Sequence, residues 1–252
     1  MDTYDVEQGI RNAITVGLEM RERGEKLLGI RIDSGDLAWL AKMARKMLDE
    51  AGLTDCGIVL SNDLDEYTIR SIREEGAQVM SWGVGTKLAT AYDQPTLGGV
   101  YKLSATRKDA QSEWVDHLKI SETAAKLTTP GVLDVRRYYA SDGKIAGDMV
   151  FDINRPIDES ECIVDPMDQL RRKNLKNKQY RTLLQPLARK GEAVLDEKHR
   201  DALAAKQRTQ EGLQTLDESQ KRILNPHTYP VGLELGLHNR RRALIAKYRG
   251  IS

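Results

Sequence analysis

Arg31-Ile32-Asp33-Ser34-Gly35-Asp36, Ser61-Asn62-Asp63 and Gly83-Val84-Gly85-Thr86 are the three polar turns inside the stretch from Leu28 to Leu103. Each turn follows a short apolar run and precedes a helical pattern. Gly29-Ile30-Arg31-Ile32, with Leu27 and Leu28 before it, reads as a buried strand. The helix after it carries Leu37, Leu40, Ala41, Ala44, Met47 and Leu48 on one face. Gly57 to Leu60 is the second strand, Leu64 to Glu75 the second helix, and Val79 to Trp82 the third strand. Strand–helix–strand–helix–strand predicts an α/β fold with a parallel sheet and right-handed crossovers. Parallel strands point the same way, so the three turns converge on one face.

Working outward, Val6, Ile10, Ala13, Ile14, Gly17 and Leu18 predict a helix over residues 6–23, with Asp5 as its cap. Beyond Gly98 the repeat stops. Gly99 to Leu103 reads as a strand, and Val132 to Tyr139 with Ile145 to Ile153 flank Asp142-Gly143, a hairpin signal. Short strands are predicted at Glu161–Val164 and Thr182–Leu187. A helix is expected over 197–224, followed by a break at Asn225-Pro226 and Pro230 and a last helix rich in Arg and Leu. The expected organisation is an α/β barrel portion over residues 1–128 and a mixed β and helical lobe over 129–252.

Composition narrows the function classes. The 252 residues carry 39 basic and 38 acidic side chains, a net charge of +1. That balance offers no global attraction to nucleic acid or membrane. Arg171-Arg172-Lys173 through Arg181 and Arg240-Arg241-Arg242 are solvated faces, subunit contacts or anion patches. Cys56 and Cys162 lack metal or disulfide spacing, so no metal site is expected and a reducing cytoplasm fits. None of His117, His199, His227 and His238 stands in a catalytic or metal-binding pattern.

The turns themselves carry chemistry. Carboxylates at strand ends accept hydrogen bonds from a ribose diol and stabilise positive charge on a sugar ring reacting at its anomeric carbon. Asp33 and Asp63 fit both roles, whereas Asp36 serves equally as a helix cap. Arg31 lies two residues before Asp33, so both point to one side of the strand. It can pair with a carboxylate or stack on an aromatic ring. Gly83, Val84, Gly85 and Thr86 offer backbone N–H groups to a phosphate. These features predict a phosphosugar site, which other phosphate-binding barrel enzymes would share.

Gly29 to Leu37, Ser61 to Glu66, Trp82 to Leu88, Tyr92 to Pro95, Gly98 to Leu103 and Asn225 to Val231 resemble the nicotinate phosphoribosyltransferase family. The resemblance implies a barrel of the type II phosphoribosyltransferase kind. It also implies joining of nicotinate to phosphoribosyl pyrophosphate, giving nicotinate mononucleotide and pyrophosphate, with coupled ATP hydrolysis, in NAD synthesis. It assigns Arg31 to the pyridine ring and phosphoribosyl group, and Asp33, with Ser34 and Gly35, to the ribose side. Asn62 and Asp63 match a ribose-contacting Gly-Asp turn, with Asn62 departing from glycine. Gly83 to Thr86 match a phosphate loop, and Mg²⁺ accompanies the pyrophosphate and ATP. Family members carry a phosphorylated histidine upstream of the Asp2-Thr3-Tyr4-Asp5 segment. The chain is therefore expected to be a C-terminal half, needing an N-terminal half or second subunit, with a homodimer as the complete enzyme. The competing expectation is an inactive remnant or phosphoribosyl-binding module.

Overall fold

The computed structural model describes residues 1–122 and 127–250. They divide into two compact units, Met1–Gly99 and Val100–Ser252. The first unit contains α1 (Val6–Glu22), β1 (Gly29–Ile32), α2 (Leu37–Glu50), β2 (Gly57–Asn62), α3 (Glu66–Glu74), β3 (Ser81–Val84) and the single turn α4 (Thr86–Ala89). Three helices start on an aspartate whose carboxylate accepts a backbone N–H two or three residues into the helix. Asp5 takes Gln8 N at 2.7 Å, Asp36 takes Trp39 N at 3.0 Å and Asp65 takes Thr68 N at 2.8 Å. Each such cap satisfies a donor that the helix itself leaves open.

β1, β2 and β3 form an open, parallel, three-stranded sheet in that order. The α/β class is therefore as expected, and the described strands of this unit do not close on themselves. Alternation along the strands separates two faces. Ile30 and Ile32 of β1 and Ile58 and Leu60 of β2 are buried with Leu40, Ala41, Ala44 and Leu48 of α2 and Ile10 of α1. Leu48 is fully buried, so truncating it to alanine would cost about 2–5 kcal/mol. Arg31 alternates with these core positions and remains exposed. The face that carries the chemistry is thus set by the same period that builds the core.

The second unit opens with the pair β4 (Ala105–Thr106) and β5 (Val115–Asp116). Its main sheet contains β6 (Leu133–Tyr139), β7 (Ile145–Asp152), β8 (Cys162–Val164), β9 (Arg172–Asn174) and β10 (Gln179–Thr182). A small hairpin, β11 (Ala188–Arg189) and β12 (Glu192–Ala193), precedes α5 (Glu197–Arg200) and α6 (Ala202–Thr215). The unit ends with β13 (Val231–Glu234) and α7 (Leu235–Arg249). The six strands run in the order β10-β6-β7-β13-β8-β9, with β13 parallel to β7 and antiparallel to β8. Tyr138, Met149 and Leu175 are fully buried at the centre of this unit's core.

Several elements differ from the sequence expectation. Gly99–Leu103 is not a strand, because the segment has no ladder partner among the described residues. The strand expected at Thr182–Leu187 lies earlier, at Gln179–Thr182, where it pairs with β6. The long helix over 197–224 is broken at Asp201, which ends α5 and caps α6 through Ala204 N at 2.7 Å, and α6 stops at Thr215. The described residues between 100 and 128, read from sequence with the first unit, fall in the second. There Gly131 N donates to Ser104 O at 3.0 Å, Arg240 Nε to Asp116 at 3.0 Å and Arg241 Nε to Thr128 O at 3.1 Å. The Asp142-Gly143 hairpin between β6 and β7 forms where expected.

Candidate active site

The C-terminal ends of β1, β2 and β3 bring the three turns side by side. Parallel register sets Ile32 beside Leu60, Ser61 beside Gly83 and Asn62 beside Val84. At the first end, the Arg31 guanidinium pairs with Asp33 at 2.9 Å and its Nε donates to Ser61 Oγ at 2.8 Å. Ser61 Oγ in turn donates to Asp33 Oδ1 at 2.5 Å. The internal ion pair weighed from sequence is therefore present. Its side chains are 63% and 43% exposed, so water screens it and the pair is weak enough to open toward a ligand.

Asn62 joins the second turn to the first. Its Nδ2 donates to Asp33 O at 2.7 Å, and its Oδ1 accepts Asp63 N at 2.5 Å. Its φ is +145°, a backbone region that glycine enters far more easily than other residues. The resemblance had matched Asn62 to a glycine, and the backbone explains why a glycine suits the position. Asp63 follows on the exposed end of the strand, and among the described residues its carboxylate makes no hydrogen bond or ion pair. Such a carboxylate can accept two hydroxyls of a diol.

The third turn is shorter than expected. Gly83 and Val84 belong to β3, Gly85 alone makes the turn, and Thr86 opens the one-turn α4. Gly83 has a packing reason: a Cβ there would lie 2.9 Å from the Ser61 Cβ. Gly85 faces open space, with no atom within 4 Å of a Cβ built on it, so a ligand atom could approach its backbone. Gly35, in the first turn, has φ +81° and would meet Leu40 Cδ1 at 2.9 Å, which keeps that position a glycine.

Four further residues, to which sequence reading gave no site role, complete the constellation. Ser61 links Arg31 to Asp33, as described. Asp2 accepts Asp33 N at 3.0 Å and Ser34 Oγ at 2.7 Å, and the Ser34 bond chiefly holds its pKa below the usual carboxylate value. Asp65 caps α3 and pairs with Lys87, the residue just after Thr86. That pair chiefly lowers the Asp65 pKa and raises that of Lys87, with Thr68 adding to the effect on Asp65. Lys87 thereby ties the second turn to the third, and it sits 5.6 Å from the Tyr92 ring. An acid at a cap position followed by a lysine after a glycine turn was a usable signal for this pair. Asp36, by contrast, serves as the cap of α2.

Comparison with known proteins gives these features a family. Residues 134–241 match the family model described as Nicotinate phosphoribosyltransferase C-terminal domain. A nicotinate phosphoribosyltransferase of Bacillus subtilis is 41% identical over 237 residues, spanning 92% of this chain and 47% of that protein. The human nicotinate phosphoribosyltransferase is 34% identical over 168 residues, covering 64% of this chain and 30% of that protein. The crystal structure of human nicotinic acid phosphoribosyltransferase superimposes with a TM-score of 0.63 at 26% identity, covering 92% of this chain and 43% of that one. These matches make the chain a relative of the phosphoribosyltransferases. Its family is that of the nicotinate phosphoribosyltransferases, whose C-terminal domain it carries. The chain spans about half the length of its Bacillus subtilis relative. No helix among the described residues is long and apolar enough to cross a membrane.

Proposed function

We propose that the three turns form the phosphoribosyl half of a nicotinate phosphoribosyltransferase active site. The single observation that carries this reading is the Arg31–Asp33–Ser61–Asn62 network, gathered at the ends of parallel strands beside a free Asp63 carboxylate. In the proposed reaction the pyridine nitrogen of nicotinate bonds to the anomeric carbon of phosphoribosyl pyrophosphate. The bond from that carbon to pyrophosphate breaks and takes its electron pair with the leaving group. Positive charge that develops on the ribose ring between these events is stabilised by the Asp33 and Asp63 carboxylates. Arg31, released from its screened ion pair, faces the pyridine and the phosphoribosyl group. Ser34 and Gly35 border the ribose side.

Backbone N–H groups from Gly83 to Thr86 receive a phosphate, with Gly85 offering the closest approach. The barrel expected from sequence is proposed to close only with strands beyond this unit. Mg²⁺ is proposed to arrive on the pyrophosphate oxygens. Asp63 suits it, since this ion is commonly held by one or two carboxylates together with substrate phosphates. Held there by Asp63, the ion would supply positive charge to the leaving pyrophosphate. ATP hydrolysis coupled to the step, a dimeric complete enzyme, a cytoplasmic setting and a role in NAD synthesis complete the proposal.

Because the chain spans about half of its Bacillus subtilis relative, we propose that the remaining length supplies the rest of the site. The test combines this chain with a polypeptide covering the other half of the Bacillus subtilis relative. Nicotinate, phosphoribosyl pyrophosphate, ATP and Mg²⁺ are added and nicotinate mononucleotide is followed by mass spectrometry. Product from the mixture supports the reading. A stable complex of the two parts that makes no product would favour the binding-module alternative.

A further inference from the structure

The basic run Arg171-Arg172-Lys173 has no part in the site described above. It follows the turn after β8, which is folded by its own aspartates. Asp165 accepts Met167 N at 2.8 Å, and Asp168 accepts Leu170 N at 3.0 Å. β9 then returns antiparallel to β8, with Lys173 opposite Ile163 and Arg172 opposite Val164. This hairpin carries the three cations into the wall of a cavity of about 190 Å³, whose other wall is the segment Thr228–Val231.

The charges there are unbalanced. Among the described residues Asp165 is the one carboxylate lining the cavity, and it reaches Arg171 only at 3.8 Å, across an arginine side chain that is 58% exposed. Such a pair contributes little. Among the described residues the Arg172 side chain spends its Nε alone, on Gln169 O at 3.1 Å. The Lys173 side chain has no hydrogen bond or ion pair among the described residues. Across the cavity, Thr228 brings a hydroxyl-bearing side chain to the opposite wall. The surplus is felt nearby: the buried His238 of α7 has its pKa lowered first by burial and then by the charges of Arg242, Arg172 and Arg241.

We propose that this hairpin cavity binds a small phosphate-bearing anion, through Arg172, Lys173 and Thr228 of the facing wall. The volume is below the roughly 300 Å³ from which drug-sized ligand sites begin, so a phosphate or diphosphate group suits it better than a whole nucleotide. A planar arginine fork beside a mobile ammonium is a common way to hold such a group. The site lies wholly in the second unit and stands independently of the proposed phosphoribosyl site.

The test titrates inorganic pyrophosphate into the full chain at low salt and follows backbone amide signals by NMR. Saturable shifts at Lys173 and Thr228 are expected, and they should persist in Arg31→Ala, whose substitution lies in the first unit. The double variant Arg172→Glu with Lys173→Glu should weaken the affinity read at those amides at least ten-fold. Arg172→Gln with Lys173→Gln replaces it if the charge reversal does not fold. Shifts confined to the turns of the first unit, or an unchanged affinity in the folded double variant, would overturn the proposal. So would binding of heparin or RNA to this surface without any binding of pyrophosphate.

Discussion

Replacing Asn62 by glycine and, separately, by alanine pits two opposing effects against each other at the end of β2. Asn62 makes two side-chain hydrogen bonds, to Asp33 O at 2.7 Å and from Asp63 N at 2.5 Å. The residue is exposed, so each bond contributes toward the low end of about 0.5–1.5 kcal/mol. Alanine loses both and keeps the φ of +145°, for a net cost of about 1–2 kcal/mol. Glycine loses the same bonds but relieves backbone strain of roughly 1–3 kcal/mol. It returns about 0.5–1 kcal/mol of that through the extra freedom of the unfolded chain. Asn62→Gly should therefore be close to neutral.

The expected gap between the two variants is about 1–2 kcal/mol, a factor of roughly 5–30 in the opening equilibrium. Native-state hydrogen exchange at the amides of Ile58 and Leu60 reads it within the first unit. Equal destabilisation by glycine and alanine would refute the reasoning, because it would mean that no strain is stored at residue 62.

Asp65→Ala should fray the start of α3 and free Lys87, seen as faster exchange at Thr68 and Ile69. Asp65→Asn keeps the cap but loses the ion pair, so it should leave α3 intact while loosening the Gly85 turn. Because the folded pKa of Asp65 is depressed, its contribution is full above the unfolded carboxylate range near ~4 and lost as pH falls through the folded value. His238 titrates near ~6.5 when unfolded and lower when folded, so the unfolded state binds more protons as pH drops. Stability of the second unit should fall below about pH 6.5, and His238→Leu should flatten that dependence in melts across pH.

The parallel sheet was legible because Ile30, Ile32, Ile58 and Leu60 alternate while Leu37, Leu40, Ala41, Ala44 and Leu48 recur at helical spacing. Asp5 and Asp36 announced their helices because a cap is a local interaction. Gly99–Leu103 misled because a strand needs a partner, and pairing is not written in the strand's own composition. The break at Asp201 was missed for a related reason: a cap can restart a helix inside a pattern that looks continuous. In the site, Arg31 and Asp33 were found because they lie two residues apart, at the end of one strand and in the turn that follows it. Ser61 and Asp2 were not, because a serine or aspartate becomes a site residue only through register and chain path, which bring it across from another element. Lys87 falls between these cases, since its partner Asp65 lies one βα unit earlier.

The most direct test of the three-turn site is turnover of Asp33→Asn in the combined enzyme described above. Asparagine preserves the shape of the side chain and removes the charge proposed to stabilise the ribose ring. The account predicts that nicotinate mononucleotide formation falls by about 100-fold or more in kcat, with the melt of the chain little changed. Turnover equal to that of the unaltered chain would contradict it.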